Sequence, residues 1–300
     1  MRYLVIRTEN LSKNFGVVQA LQNLTLEVEP GEVYGVLGPQ GAGKTTFLNL
    51  LMNVVRPSSG SALVMGLDSV QHAQQIRQKV GHLPQSFPLP GNLSGETVVN
   101  RTVNLRGPID QPYLKELTAL FGLDLSRRIS TLNPAEKQAL GIVLAFLRQP
   151  DLVLLDSPSN NLSPERQTQL YRLIAEKRAA GGTVVIASQS LLEMERICDR
   201  VAVLNCGQLL AVERGVSLRA RALRKIELRF AEPVKAEAFN GLANIRDLTL
   251  DENKLRCTVQ GEPDALFKTA SRFRLLDVIS QQPSLDEVYR NYYGVFTRSN

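Results

Sequence analysis

Gly38 to Thr46 reads GPQGAGKTT and satisfies G-x-x-x-x-G-K-[ST]. That spacing suits a backbone cradle for phosphate. The loop Gly38, Pro39, Gln40, Gly41, Ala42, Gly43 has glycines that let N–H groups close on an anion, and a helix starting behind it adds its positive dipole end. Lys44 carries an ammonium toward the outer phosphates, the Thr45 hydroxyl suits Mg2+, and Thr46, just after the motif, is a further candidate for binding the nucleotide. A second stretch, DLVLLDSPSNNLSP from Asp151 to Pro164, runs the apolar residues Leu152 to Leu155 into Asp156, as a buried strand does when it delivers a carboxylate to a metal-bound phosphate. The next residue is Ser157, and an unassisted hydroxyl is a poor general base. The pattern raises the question whether this chain turns over nucleotide or has kept the site and lost the chemistry.

The elements that would position these groups read as an α/β layered domain over residues 1–215. Glu32 to Gly38, Leu152 to Asp156, Thr183 to Ser188 and Arg200 to Asn205 predict strands, the last three nearly all apolar as befits burial on both faces. ALGIVLAFL, Ala139 to Leu147, predicts one buried helix. From 216 to 300 the order is strand, helix, strand, strand, helix, strand, with a closing helix SLDEVYRNYYG, which predicts a small α+β domain resembling a ferredoxin-like unit. The basic cluster RARALRK, Arg219 to Lys225, reads as a solvated linker between the two.

With 300 residues, 43% hydrophobic and 21% charged, the chain has the balance of a soluble globular protein and no apolar run long enough to span a bilayer. Any membrane-crossing part therefore belongs to another polypeptide, and the short apolar start is no secretory signal, which predicts a cytoplasmic protein. Cys198, Cys206 and Cys257 are odd in number and lack CxxC spacing, so they read as packed or free thiols. His72 and His82 are assigned no role. The net charge of +6 is dispersed and accompanies no zinc-finger or RNP-type motif, so no nucleic-acid partner is expected.

Taken in order, the first domain resembles the nucleotide-binding subunit of ATP-binding-cassette (ABC) transporters. The carriers are LSKNFGVVQALQNLTLEVEPGEVYGVLGP, the phosphate loop, VGHLPQSFPLP, and the Asp156 strand. RPSSGSALVMGLD and PSLDEVYRNYYG further resemble the ABC-2 type, drug-export branch. The resemblance implies a P-loop NTPase of cassette type, with a mixed sheet core and a helical subdomain, that binds ATP and Mg2+. It places Phe15 against adenine, where any π face suffices, Gln85 near the metal with Thr45 and Asp156, and the Gln85 segment, with its exposed FPLPGNLS loop, against the membrane subunit.

The chain departs from that pattern at the positions that perform or trigger hydrolysis. LNPAE, Leu132 to Glu136, replaces the signature LSGGQ: Pro134 has no N–H to give, Ala135 adds a Cβ, and Glu136 brings negative charge. Asn133, Pro134 and Glu136 instead form a good helix start, with N-cap, N1 proline and capping-box acid. Ser157 stands at the catalytic glutamate, Gln189 at the switch histidine, and Ser163 at the aspartate of the loop that crosses the dimer. Glutamine cannot titrate as histidine does.

These features predict a subunit that holds Mg·ATP at a cassette dimer interface, hydrolyses it weakly or not at all, and drives separate transmembrane subunits from the inner face of the cell membrane. A homodimer would contain two disabled sites, so a second, more complete cassette is the expected partner. A non-transport, ATP-dependent regulatory or interaction module remains an alternative; a kinase or GTPase lacks its lid and base-recognition features here.

Overall fold

The computed structural model describes residues 3–215, 223–239, 241–242 and 244–281. The chain divides into two compact units, Met1–Glu213 and Arg214–Asn300. The closing helix expected at SLDEVYRNYYG and the residues 216–222 lie outside the described residues.

The first unit is built on two sheets. Strands β1 (Ile6–Phe15), β2 (Val18–Val28), β4 (Ser59–Val64) and β5 (Leu67–Asp68) form an antiparallel sheet in the order β2-β1-β4-β5. The other sheet runs β10-β9-β3-β8-β7-β6, from β3 (Val33–Leu37), β6 (Gly81–Leu83), β7 (Leu152–Asp156), β8 (Thr183–Ser188), β9 (Arg200–Asn205) and β10 (Gln208–Arg214). Its β3/β8, β3/β9, β6/β7 and β7/β8 pairings are all parallel. Every residue of β3, β7 and β8 is buried, the reason these segments are mostly apolar rather than alternating.

Helix α1 (Lys44–Leu51) packs between the sheets, with Phe47, Leu48, Leu50 and Leu51 in a core shared with Ile6, Leu26, Val36 and Val185. Helix α2 (Ala73–Lys79) leads into β6. A separate cluster of Val98, Ile129, Leu132 and Leu140 binds α3 (Gly95–Arg106) to α5 (Pro134–Phe146), with α4 (Gln111–Phe121) packed nearby. Gly141 on α5 gives way to the Phe87 ring, for a Cβ there would lie 2.4 Å from Phe87 Cζ. Helices α6 (Pro164–Ala179) and α7 (Leu191–Ile197) complete the unit.

The second unit holds β11 (Leu223–Phe230), β12 (Ile245–Asp251), β13 (Lys254–Gln260), α8 (Asp264–Ala270) and β14 (Leu275–Gln281), with a short 3-10 turn at Ala236–Phe239. The sheet order is β12-β13-β11-β14 and its pairings are antiparallel, the arrangement of a split βαβ pair. Ile226, Leu228 and Phe230 face a core closed by Phe239, Leu255 and Leu266. The end of the basic cluster is not linker: Leu223, Arg224 and Lys225 pair with Gln260, Val259 and Thr258. The alternation of apolar and charged residues from Lys225 to Phe230 extends the strand backward into that cluster.

Candidate functional site

The phosphate loop leaves the carboxyl end of β3, and Asp156 ends β7; the end of β8 lies between them. The Gly38 N–H donates to the Ser188 carbonyl at 3.3 Å and the Ser157 N–H to the Ala187 carbonyl at 2.8 Å, so one strand end anchors both loops. Two glycines are required sterically. A Cβ on Gly43, whose φ is +100°, would lie 2.5 Å from the Ala20 carbonyl oxygen, and one on Gly38 would meet the Leu204 carbonyl oxygen at 2.6 Å. Gly43 caps α1 without a side chain, so no side-chain acceptor competes for the first-turn N–H groups.

Lys44 is 6% exposed, and its ammonium donates to the carbonyls of Gly38 at 2.7 Å and Pro39 at 2.8 Å. Burial lowers its pKa to about 8, against the raising effect of Asp156. Thr45 Oγ1 donates to Gln85 Oε1 at 3.3 Å and also approaches Asp156. Asp156 is buried, which raises its pKa, while the Thr45 and Ser157 hydroxyls and Lys44 oppose the rise. The structure thus brings Lys44, Thr45, Gln85, Asp156 and Ser157 together. Thr45, Gln85 and Asp156 offer hard oxygen donors that fit Mg2+, with phosphate and water needed to complete a shell. No group of three or more His, Cys, Asp or Glu placed to hold a metal ion occurs among the described residues.

Ser157 is turned inward. Its hydroxyl donates to Asp156 Oδ1 at 3.2 Å, and its backbone φ is +51°, a left-handed conformation costing about 1 kcal/mol outside glycine. Gln138 on α5 holds this loop through its amide, which donates to the carbonyls of Ser157 at 3.3 Å and Pro158 at 3.1 Å. Sequence reasoning missed Gln138; its signal is a buried amide inside an otherwise apolar helical run.

Phe15 is 49% exposed at the end of β1, with Lys13 Nζ 4.9 Å from its ring centroid. Asn133 Oδ1 accepts from the Glu136 N–H at 2.9 Å, and the Asn133 N–H donates to Glu136 Oε2 at 2.8 Å, a complete capping box. Glu136 also pairs with Arg127 at 2.6 Å; the Asn133 N–H first, and then Arg127, keep its carboxyl below the usual range. Ser163 Oγ accepts from the Arg166 N–H at the start of α6. Gln189 is exposed just past β8.

Residues 21–160 match the family described as ABC transporter. The chain is 30% identical over 240 residues to the probable multidrug ABC transporter ATP-binding protein YbhF of Escherichia coli, covering 78% of this chain and 41% of that protein. It therefore spans less than half the length of that relative. It is 27% identical over 256 residues to a bacitracin transport ATP-binding protein of Enterococcus faecalis, covering 84% of this chain and 83% of the relative. A daunorubicin resistance ATP-binding protein of Streptomyces coeruleorubidus is 28% identical over 302 residues, covering 96% of each. In fold, the chain is similar to a dimeric ATP-binding cassette solved with ADP and Pi, with TM-score 0.63 and 23% identity over 70% of this chain and 98% of that one. Another similar structure is an ATP-binding subunit of an ABC transporter, with TM-score 0.65 and 24% identity over 70% of this chain and 90% of that one.

Proposed function

The chain contains an ABC transporter ATP-binding domain, and from that premise we propose that it is an exporter subunit that binds Mg·ATP at a cassette dimer interface and hydrolyses it weakly or not at all by itself. The observation that carries this reading is the asymmetry between the two halves of the site. The binding half is built: a glycine-permitted cradle, a buried Lys44, and the oxygens of Thr45, Gln85 and Asp156 in one network. The hydrolytic half is not, because the Ser157 hydroxyl spends its proton on Asp156 and offers no carboxylate to an attacking water.

The start of α5 points the same way. Its capping box satisfies the helix end internally, and Glu136 carries a negative charge where the family's signature would offer donors to a phosphate. A partner cassette with an intact base would meet this altered start, so both composite sites would run slowly or asymmetrically. Mg2+ bound at Thr45, Gln85 and Asp156 would neutralise phosphate charge. Lys44 would bind and orient the outer phosphates, and Phe15 would offer its ring to the base.

ATP held between two cassettes favours the closed pair, and that binding energy would move transmembrane subunits. No helix among the described residues is long and apolar enough to cross a membrane, so a peripheral position at the inner face through those subunits is the location proposed. The drug and antibiotic names of the relatives support export of a compound of that class.

ATP turnover by the purified chain, measured where Mg·ATP binding is independently demonstrated and with Lys44→Ala as blank, tests the reading. Binding with turnover no greater than the blank is the expected result. Turnover that disappears in Lys44→Ala would overturn the loss of hydrolysis.

A further inference from the structure

Glu193, on the first turn of α7, is 2% exposed, and neither carboxyl oxygen accepts from an N–H or a cationic group. Around it stand the hydroxyls of Ser188 at the end of β8, Ser159 in the loop after Asp156, and Tyr171 on α6. These are the two loops that bear Ser157 and Gln189, and the helix that follows the first of them. The backbone is already tied on one side: Ser188 Oγ accepts from the Ser190 N–H at 3.0 Å, and Ser190 Oγ from the Glu193 N–H at 3.2 Å.

We propose that Glu193 is a positioning residue, a buried carboxylic acid that keeps its proton and pins the Ser157–Asn161 loop to the Ser188–Ser190 turn through the surrounding hydroxyls. A buried carboxylate without a cationic or N–H partner is far costlier than the neutral acid. The neutral acid has one donor and spare acceptor capacity, which matches hydroxyls that can turn to either role.

The other groups facing it agree. Tyr171 stays neutral, its pKa raised to about 12 by burial and then by Glu193 itself. Arg196 is spent on the Tyr171 ring at 5.1 Å, and the Cys198 thiol is held protonated by burial. From β8 and from the loop it meets hydroxyls, and burial raises its own pKa. The inference rests on reading these two loops as the γ-phosphate side of the site, but its test needs no nucleotide.

The experiment compares the full chain with Glu193→Gln and Glu193→Ala by amide hydrogen exchange and by thermal unfolding across pH. In the native state Glu193 holds a proton that the unfolded chain releases above the ordinary carboxylate range. Stability should therefore fall as pH rises from that range to the raised native value, then level off. Glu193→Gln, which keeps a neutral hydrogen-bonding head, should lose that component and keep wild-type exchange at 159–161 and 188–190. Glu193→Ala should exchange there about tenfold faster, the loss of roughly one hydrogen bond. A Glu193→Gln profile parallel to wild type, or unchanged exchange in Glu193→Ala, would overturn the proposal. Should Glu193→Ala fail to fold, Ser159→Ala replaces it with the same expected loss of protection. Lys44→Ala reports on nucleotide binding separately, so failure of one reading leaves the other intact.

Discussion

The side-chain amide of Gln138, on α5, donates to the backbone carbonyl of Ser157, 3.3 Å away, and so ties the helix that Asn133 caps to the loop that follows Asp156. The same amide serves Pro158 at 3.1 Å, and the contact is buried. Replacing it with the similarly sized Leu would strand two carbonyls. Gln138→Leu should cost about 2 kcal/mol, read as a lower midpoint in chemical denaturation, and should expose the Ser157 loop to faster exchange.

Lys44 gives a pH dependence with a definite sign. In the free protein its pKa is about 8, below the ordinary lysine value, because it is buried. Bound phosphates would raise it. Below pH 8 the ammonium is already charged and affinity should be flat. Above it, binding must take up a proton, so calorimetric affinity for ATP should fall by about tenfold per pH unit. Lys44→Ala should weaken binding by roughly a hundredfold, the loss of charge-assisted bonds worth about 3 kcal/mol, and should remove that slope.

Phe15 is about half exposed and lies beside Lys13. Phe15→Ala should weaken ATP binding by about fivefold, in line with a stacking contribution of about 1 kcal/mol. Phe15→Tyr should bind as wild type. Equal affinities for Phe15→Ala and wild type would place the base elsewhere.

The capping box separates stability from ligand binding. Asn133→Ala removes the acceptor for the Glu136 N–H and should cost about 1 kcal/mol of stability. Mg·ATP affinity of the isolated chain should not change, because those bonds lie within the helix start. A drop in affinity would mean that α5 contributes to the chain's own nucleotide site.

Much of this was written in local sequence. The phosphate loop needs glycines where a Cβ would strike backbone, as at Gly38 and Gly43, and that demand appears as a motif. Strands β7 and β8 are buried on both faces, so they read as apolar runs with the bounds later observed. The box at Asn133 and Glu136 depends on residues three apart, which makes it a sequence property. Tertiary structure decided what depends on distant segments. It turned the Ser157 hydroxyl toward Asp156, set Gln138 under that loop, and placed Glu193 among hydroxyls from β8, the loop and α6. It also drew Leu223 to Lys225 out of an apparent linker into a sheet, because β13 supplied the partner for their backbone groups. Chain-local rules carry steric and capping requirements; which buried polar groups meet is settled only when the strands stack.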